Sequence, residues 1–305
     1  MGTSWRESIV EQASQYIETQ LKKEPQSLLV LLGPTASGKT SLACELAKKF
    51  PLEIVSADSR LVYRGMDIGT AKPQAAELQQ VPHHLIDIVS PEDNFTLADY
   101  LPKANEAIEK VFANTHVPLL VGGTMLYIDG LVYNYQLPGS EGKKVANYRN
   151  WPLVQLQDRL MTLNPQAQHI IDWQNSVRLM RVLEYYDQTG AWLWQQKKRG
   201  TSKYPYLLLG LAIDKKLLRA RIAARVEKQL ADGLIKEVQR LQKTCPIIPN
   251  ALTGIGYRQV IRYLNGEYSL QAMKDQVIRD TCAYAKRQMT WWKRNKEIIW
   301  LSVTD

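Results

Sequence analysis

Cysteine is scarce and scattered. Cys44, Cys245 and Cys282 are the three in 305 residues, an odd number and far apart. No pair has zinc-ligand spacing and nothing suggests a disulfide framework, so the set fits a reducing compartment. Long apolar runs are missing too: no segment approaches the roughly 20 apolar residues that span a bilayer. The opening stretch, MGTSWRESIVEQASQYIETQLKKEPQ, is polar and mixed in charge, without the apolar centre of a signal peptide. Arg6 stands where an N-myristoylation signal wants Ser or Thr. A cytoplasmic protein without a membrane partner is expected. Internal repeats and low-complexity tracts are absent. The adjacent pair His83 and His84 does not by itself suggest a metal site.

What is present is an uneven charge. Residues 1–190 carry 17 Lys/Arg against 21 Asp/Glu, a balance of −4, whereas residues 191–305 carry 22 against 9, a balance of +13. A basic last third suits a large polyanionic partner such as nucleic acid, but a merely solvated basic surface looks the same in composition. A chain of 305 residues is long enough for two domains, or for one large domain with an insertion.

Short apolar runs recur at 28–32 (LLVLL), 53–57 (EIVSA), 84–89 (HLIDIV), 117–121 (VPLLV) and 206–213 (YLLLGLAI). Helix-like segments at 41–50, 96–114 and 216–243 separate most of them. Continuous apolar runs of about five residues alternating with helices predict an α/β fold with a parallel sheet covered on both faces. The pattern changes over 135–205, which opens on Leu137-Pro-Gly-Ser-Glu-Gly142 and continues as aromatic and basic helical segments broken by DQTGAW. This stretch reads as a small helical insertion. The expected core is then 28–134 plus 206–305, with 214–298 largely helical apart from the interruption CPIIPNALTGIGYRQ. Over 1–27, Ile9, Val10, Ala13, Tyr16, Ile17 and Leu21 have helical spacing, which predicts an amphipathic helix packed on the core.

Gly33, Pro34, Thr35, Ala36, Ser37, Gly38, Lys39 and Thr40 match G-x-x-x-x-G-K-[ST] between an apolar run and a helix-like segment, the context that a phosphate loop requires. The glycines let backbone N–H groups turn inward around phosphate oxygens. Lys39 adds a point charge, Thr40 a hydroxyl for Mg²⁺, and the helix N-terminus a favourable dipole. The carboxylate that ATP-cleaving relatives place at a strand end to hold Mg²⁺ is missing, because 117–121 runs into Gly122-Gly123-Thr124. Asp87 is a conceivable substitute or a structural residue. At the carboxyl end of the second run stands Asp58, where α/β proteins build their sites. It can accept a proton from a nucleophile, or equally cap a turn.

The stretches GPTASGKT, SADSRLVYRGMDIGTAKP, HHLIDI, VGGTMLYIDGL, GYRQV and YAKRQMTWW occur together and in this order. The set closely resembles the bacterial tRNA dimethylallyltransferases, the tRNA isopentenyltransferases of the IPP transferase family, over nearly all of 28–301. The resemblance implies a P-loop NTPase-like core whose phosphate loop holds dimethylallyl diphosphate, with Mg²⁺ as cofactor. It further implies transfer of the dimethylallyl group to the N6 amino group of the adenine 3′ to the anticodon, with pyrophosphate leaving. The absence of a hydrolytic carboxylate agrees, since the bond that breaks is C–O at an allylic carbon and phosphorus is not attacked.

By this resemblance Asp58 is the general base, and Thr124 lies at the reaction centre, although a Thr after Gly-Gly could simply close a turn. Arg221 and Arg225, four apart on a helix face, could clamp diphosphate oxygens or form an exposed basic face. The resemblance places Arg225 at the diphosphate. The tRNA anticodon stem-loop is expected to meet Asp58, Ser59, Arg60 and Leu61 at the entrance. Val177, Arg178, Leu179, Met180 and Arg181 would meet it from the insertion, and Thr253, Gly254, Ile255, Gly256, Tyr257 and Arg258 from a glycine-containing loop. Trp291 and Trp292 are read as core packing, with the neighbouring basic residues facing RNA. The insertion looks shorter than is usual for the family, and a family step before the Arg-containing helix reads here as Asp172-Trp173-Gln174-Asn175. A monomer is expected. The rival readings are an adenylate prenyltransferase acting on free nucleotide, a non-catalytic nucleotide-gated RNA-binding protein, and a small-molecule kinase.

Overall fold

The computed structural model describes residues 5–137, 148, 150–195, 199–245 and 250–304. Most of the Leu137–Gly142 stretch and residues 246–249 of the later interruption therefore lie outside the described residues. The chain forms two compact units, one of Met1–Asn134 with Thr201–Asp305 and one of Tyr135–Gly200.

The larger unit is built on one sheet of six parallel strands. These are β1 (Leu28–Leu32), β2 (Leu52–Ala57), β3 (His83–His84), β4 (Val117–Gly122), β5 (Tyr206–Ile213) and β6 (Ile299–Val303), in the order β3-β2-β4-β1-β5-β6. Every residue of β1, β2 and β4 is buried, as strands covered on both faces must be. The helices before the insertion are α1 (Trp5–Lys23), α2 (Lys39–Ala47), α3 (Ala75–Gln80), α4 (Leu97–Ala113) and α5 (Met125–Val132). Within the smaller unit lie α6 (Leu153–Leu163), α7 (Ala167–Ile170) and α8 (Ser176–Thr189). After it come α9 (Lys215–Ala231), α10 (Leu234–Thr244), α11 (Tyr257–Leu264) and α12 (Leu270–Trp292).

On one face of the sheet, Leu42, Ala43 and Leu46 of α2 and Ile9, Ala13 and Ile17 of α1 join Leu29, Leu31, Ile54 and Leu119 in a single core. The N-terminal segment is thus an amphipathic helix, with Val10 and Leu21 partly buried against the same cluster. Tyr16 is the exception to its expected inward set, since it faces out and is 43% exposed. Tyr100 of α4, fully buried, stacks on Tyr127 of α5 with centroids 4.0 Å apart and donates from its hydroxyl to the carbonyl of Ser56.

Two expectations need correction, and one strand was not anticipated. The run 84–89 is not a strand, because β3 stops at His84 and Leu85 and Asp87 take left-handed φ values of 64° and 57°. The backbone turns away there to bond the loop after β2, through Asp87 N–H to Leu61 O and Ile88 N–H to Val62 O. The helix read over 216–243 is two helices, α9 and α10, separated where Gly233 takes φ 103°. Past the helical region, the unanticipated β6 pairs with β5 in parallel, Leu209 opposite Ile299 and Leu211 opposite Leu301. Gly210 permits that approach, since a Cβ there would sit 2.6 Å from Ile298 Cγ2.

The smaller unit has its own core of Leu156, Leu160, Ala167, Leu179, Val182 and Leu183, with Tyr148. Its spacing is helical: Leu156 and Leu160 are one turn apart on α6, and Leu179 and Leu183 one turn apart on α8. Asn175 caps α8 by accepting the N–H of Arg178 at 3.1 Å, and Gly190 ends it at φ 71°.

Candidate active site

The phosphate loop joins β1 to α2. Gly38 caps α2 at φ 96°, and Ala36 accepts a left-handed φ of 62°, which an L side chain adopts only at some energetic cost. This turns the chain tightly at the start of a helix whose first N–H groups have no intrahelical partner. Lys39, on the first turn, folds back and donates from Nζ to the carbonyls of Gly33 at 3.0 Å and Pro34 at 2.8 Å. Burial lowers its pKa to about 8, with Asp58 pulling it up and Arg225 pushing it further down.

Asp58 follows the last residue of β2. Its Oδ1 accepts the N–H of Arg60 at 2.9 Å, so the turn-capping role is real. A carboxylate has several acceptor sites, and this one contact leaves acceptor capacity for a substrate. Thr124, at the end of β4 and the start of α5, donates its N–H to Ala57 O at 3.1 Å, while its Oγ1 accepts from Ser59 N–H at 2.9 Å. Thr124 closes the turn and, by the same bonds, fixes the backbone on either side of Asp58.

Arg225, on α9, donates to Thr35 Oγ1 at 3.3 Å and to the carbonyl of Thr70 at 3.0 Å. Burial lowers its pKa, and the charge of Asp58 opposes that shift. Two cavities adjoin here. One, of about 370 Å³, is lined by Thr35, Ala36, Gly38, Lys39, Thr40 and Arg221 of the phosphate loop and α9, and also by the apolar Ile54, Leu61, Ile86 and Val121. The other, of about 300 Å³, is lined by Ser59, Arg60, Arg287 and all of Thr253–Arg258. Thr35, Asp58, Thr70, Arg225 and Tyr284 belong to both. An anion held by the phosphate loop and a second substrate entering past Arg60 and Arg258 would therefore both meet Asp58.

The expected RNA-facing residues divide. Arg60 reaches across to the carbonyls of Asn250 and Ala251 at 3.0 and 3.1 Å and fixes the second cavity's mouth. Leu61, expected at the entrance, lines the first cavity. Arg258, half-exposed, pairs with Asp280 at 2.6 Å. Tyr257 is buried and donates its hydroxyl to Glu237 at 2.7 Å. In the smaller unit Val177, Arg178 and Arg181 are exposed on α8, while Leu179 is fully buried and Met180 packs on the same core. Leu179, expected among the RNA-facing residues, has its side chain in that core. Asp87 does not line the phosphate-loop cavity, and its carboxylate pairs with Lys72. Trp292 is buried, but Trp291 is 38% exposed and donates its indole N–H to Asp129 at 2.9 Å.

Several important residues escaped the sequence reading. Gln288 of α12, buried, accepts the N–H of Thr35 at 3.0 Å and donates to the carbonyl of Gly123 at 2.7 Å, tying the phosphate loop to the end of β4. A Cβ on Gly123 would sit 2.5 Å from the Gln288 amide, so this contact requires glycine. One turn earlier, Tyr284 donates to Gly123 O at 3.2 Å. Burial first, and the charge of Asp58 second, push its pKa up to about 12, so it stays a neutral donor. Buried Glu237 accepts three backbone N–H groups, from Asp67, Ile68 and Gly69, at 2.8–3.0 Å. Gln229 donates to the carbonyls of Ile68 and Gly69, at 2.7 and 3.0 Å. The quoted stretch YAKRQMTWW contains Tyr284 and Gln288, and their four-residue spacing on one helix face was the available signal.

A model of the IPP transferase family matches residues 61–295. The chain belongs to the IPP transferase family. It is 40% identical over 298 residues to a tRNA dimethylallyltransferase of Pelotomaculum thermopropionicum, covering 95% of this chain and 94% of the relative. To the enzyme of the same name from Geobacter metallireducens it is 41% identical over 294 residues, covering 92% and 94%. Among solved structures it resembles the tRNA isopentenylpyrophosphate transferase of Bacillus halodurans, with a TM-score of 0.70 and 33% identity, covering 91% of this chain and 90% of that one. The α/β core built on a phosphate loop is thus the architecture of an IPP transferase.

Proposed function

We infer that this chain is a tRNA dimethylallyltransferase, which moves the dimethylallyl group of dimethylallyl diphosphate to the N6 amino group of the adenine 3′ to the anticodon. The observation that carries the reading is the position of Asp58 in the wall common to the two cavities. In the first, the phosphate-loop lining of Thr35, Ala36, Gly38, Lys39 and Thr40 suits a diphosphate, and the apolar side chains Ile54, Leu61, Ile86 and Val121 suit five carbons. Gly33, Pro34 and Ser37 shape the same loop.

In the reaction N6 attacks the allylic carbon, the C–N bond forms as C–O breaks, and the electron pair of that bond departs on pyrophosphate. The proton lost by N6 passes to Asp58, which such a poor amine nucleophile needs. Lys39, Arg225 and the loop N–H groups stabilise the charge that gathers on the leaving oxygens, with Arg221 contributing from the cavity's edge. Thr124, Tyr284 and Gln288 hold these parts in register. Mg²⁺ suits the site: Thr40 offers a hydroxyl in the same cavity as Asp58, and such an ion takes most of its ligands from substrate phosphates and water. When bound it would neutralise charge on the diphosphate.

The second cavity is lined by Arg60, Arg258 and Arg287, which favours an adenine extruded from an RNA loop and followed by its phosphates. Arg178 and Arg181 on α8, with Val177 and Met180 beside them, offer further contacts to that RNA. Among the described residues no helix is long and apolar enough to cross a membrane. An RNA substrate of this kind fits a cytoplasmic location.

Incubation with labelled dimethylallyl diphosphate tests the reading, using an unmodified anticodon stem-loop and, separately, AMP. Label is expected in the stem-loop with one pyrophosphate released per transfer. Label appearing in AMP alone would overturn it, as would RNA binding without product.

A further inference from the structure

Beyond α8 the smaller unit builds a feature that the reaction does not use. Gly190, in the left-handed region, sends the chain back across the end of the helix, and a short 3-10 turn, Leu193–Gln195, follows. The fold-back is fixed by Gly190 N–H to Tyr186 O at 2.8 Å and by Ala191 N–H to Thr189 Oγ1 at 3.1 Å. It lays Trp192 on Tyr186, with centroids 4.2 Å apart and planes 22° from parallel. Trp194 then lies on Trp192 at 4.8 Å and 13°. Three rings in a row are nearly parallel, the arrangement in which successive bases of a nucleic acid lie.

The column packs on the outside of the unit's core and is not its centre. That centre is aliphatic, whereas Tyr186, Trp192 and Trp194 are each only partly buried. The same unit exposes two cationic side chains on α8, Arg178 and Arg181. Aromatic faces on a unit that also exposes cationic side chains suit unpaired nucleotides, since every base has a π-face and every nucleotide a phosphate.

We propose that Tyr186, Trp192 and Trp194 form a stacking platform for an unpaired base of the tRNA anticodon loop other than the target adenine. The proposal rests on the reading of the chain as a tRNA-modifying enzyme. Stacking releases no counterions, so it contributes affinity that salt does not screen, unlike the phosphate contacts.

The experiment uses the full chain and a synthetic anticodon stem-loop, with affinity measured across a salt series. Trp194→Leu, which keeps apolar packing but loses the large π-face, is expected to bind about 10- to 100-fold more weakly at every salt concentration. The slope of log affinity against log salt should stay unchanged. Trp194→Phe, which keeps a ring, should recover most of the loss, and both variants should melt where the wild type does. In a second measurement, 4-thiouridine is placed at each unpaired loop position and irradiated with the wild-type protein. Crosslinks are expected to the peptide carrying residues 192–194. Wild-type affinity in Trp194→Leu, a changed salt slope, or crosslinks only to other peptides would overturn the platform. If the wild type still prenylates the stem-loop in those cases, the enzymatic reading stands; if it neither binds nor modifies RNA, both fail.

Discussion

In the proposed reaction Asp58 and Lys39 divide the chemistry between them, and each role has a measurable signature. Asp58→Asn keeps a side-chain oxygen that can cap Arg60 N–H but cannot take up a proton at neutral pH. The variant should bind dimethylallyl diphosphate nearly as the wild type does and lose two orders of magnitude or more in turnover, about the worth of general-base help. Equilibrium binding of the donor alongside single-turnover rates checks this, and full turnover in the variant would rule out the general-base role. Lys39 is cationic below about pH 8 in the free enzyme, because burial depresses its pKa to that value. Its attraction for an anion is present below that pH and fades as pH rises through it. The pH profile of kcat/KM for the donor should therefore fall above about pH 8. Lys39→Ala should lower the whole profile and remove that limb.

At the scale of elements, the phosphate loop was legible because all its parts are contiguous: strand, glycine turn and helix start lie within residues 28–47. The helices that complete the site were legible as helices, with Arg221 and Arg225 expected at the anion, but the polar side chains by which α10 and α12 hold the neighbouring loops were not. The segment after β2 shows the difference. Met66–Lys72 forms no long regular element, yet Glu237 of α10, 168–170 residues away, takes the N–H groups of Asp67, Ile68 and Gly69. The acceptor was invisible in the sequence because a Glu in an amphipathic helix is ordinarily a solvated one. Glu237→Gln replaces one charged acceptor oxygen by an NH₂ that faces donors. A loss of about 3 kcal/mol follows from the weakened charge-assisted bonds and the stranded N–H groups. Thermal melting should show a midpoint several degrees lower, and proteolysis should cut first within 60–73. The same locality explains the strand errors. HLIDIV has the apolar content of a buried strand, but left-handed Leu85 and Asp87 bend it toward the loop it bonds. IWLSV at the edge is a strand because β5 offers an open side, and Gly210 lets Ile298 and Trp300 approach.

For the whole molecule, the uneven charge becomes a statement about binding. The excess of Lys/Arg over 191–305 includes Arg258 and Arg287, both at the second cavity. RNA affinity should therefore fall steeply with salt. Arg258→Ala should weaken binding similarly across tRNA sequences and reduce the slope of log affinity against log salt by about one. A fluorescence titration at several salt concentrations measures both, and an unchanged slope would mean that Arg258 serves only its pair with Asp280. The sequence by itself determined the parallel α/β core, the anion cradle and the carboxylate at the end of β2, because periodicity and local spacing encode them. Only the tertiary structure decided that Asp58 stands between two cavities, that Gln288 links Thr35 to Gly123, and that Leu179 is core while Arg178 is surface. Those facts depend on groups brought together across as many as 253 residues, and no local pattern records which distant polar group will satisfy a buried N–H.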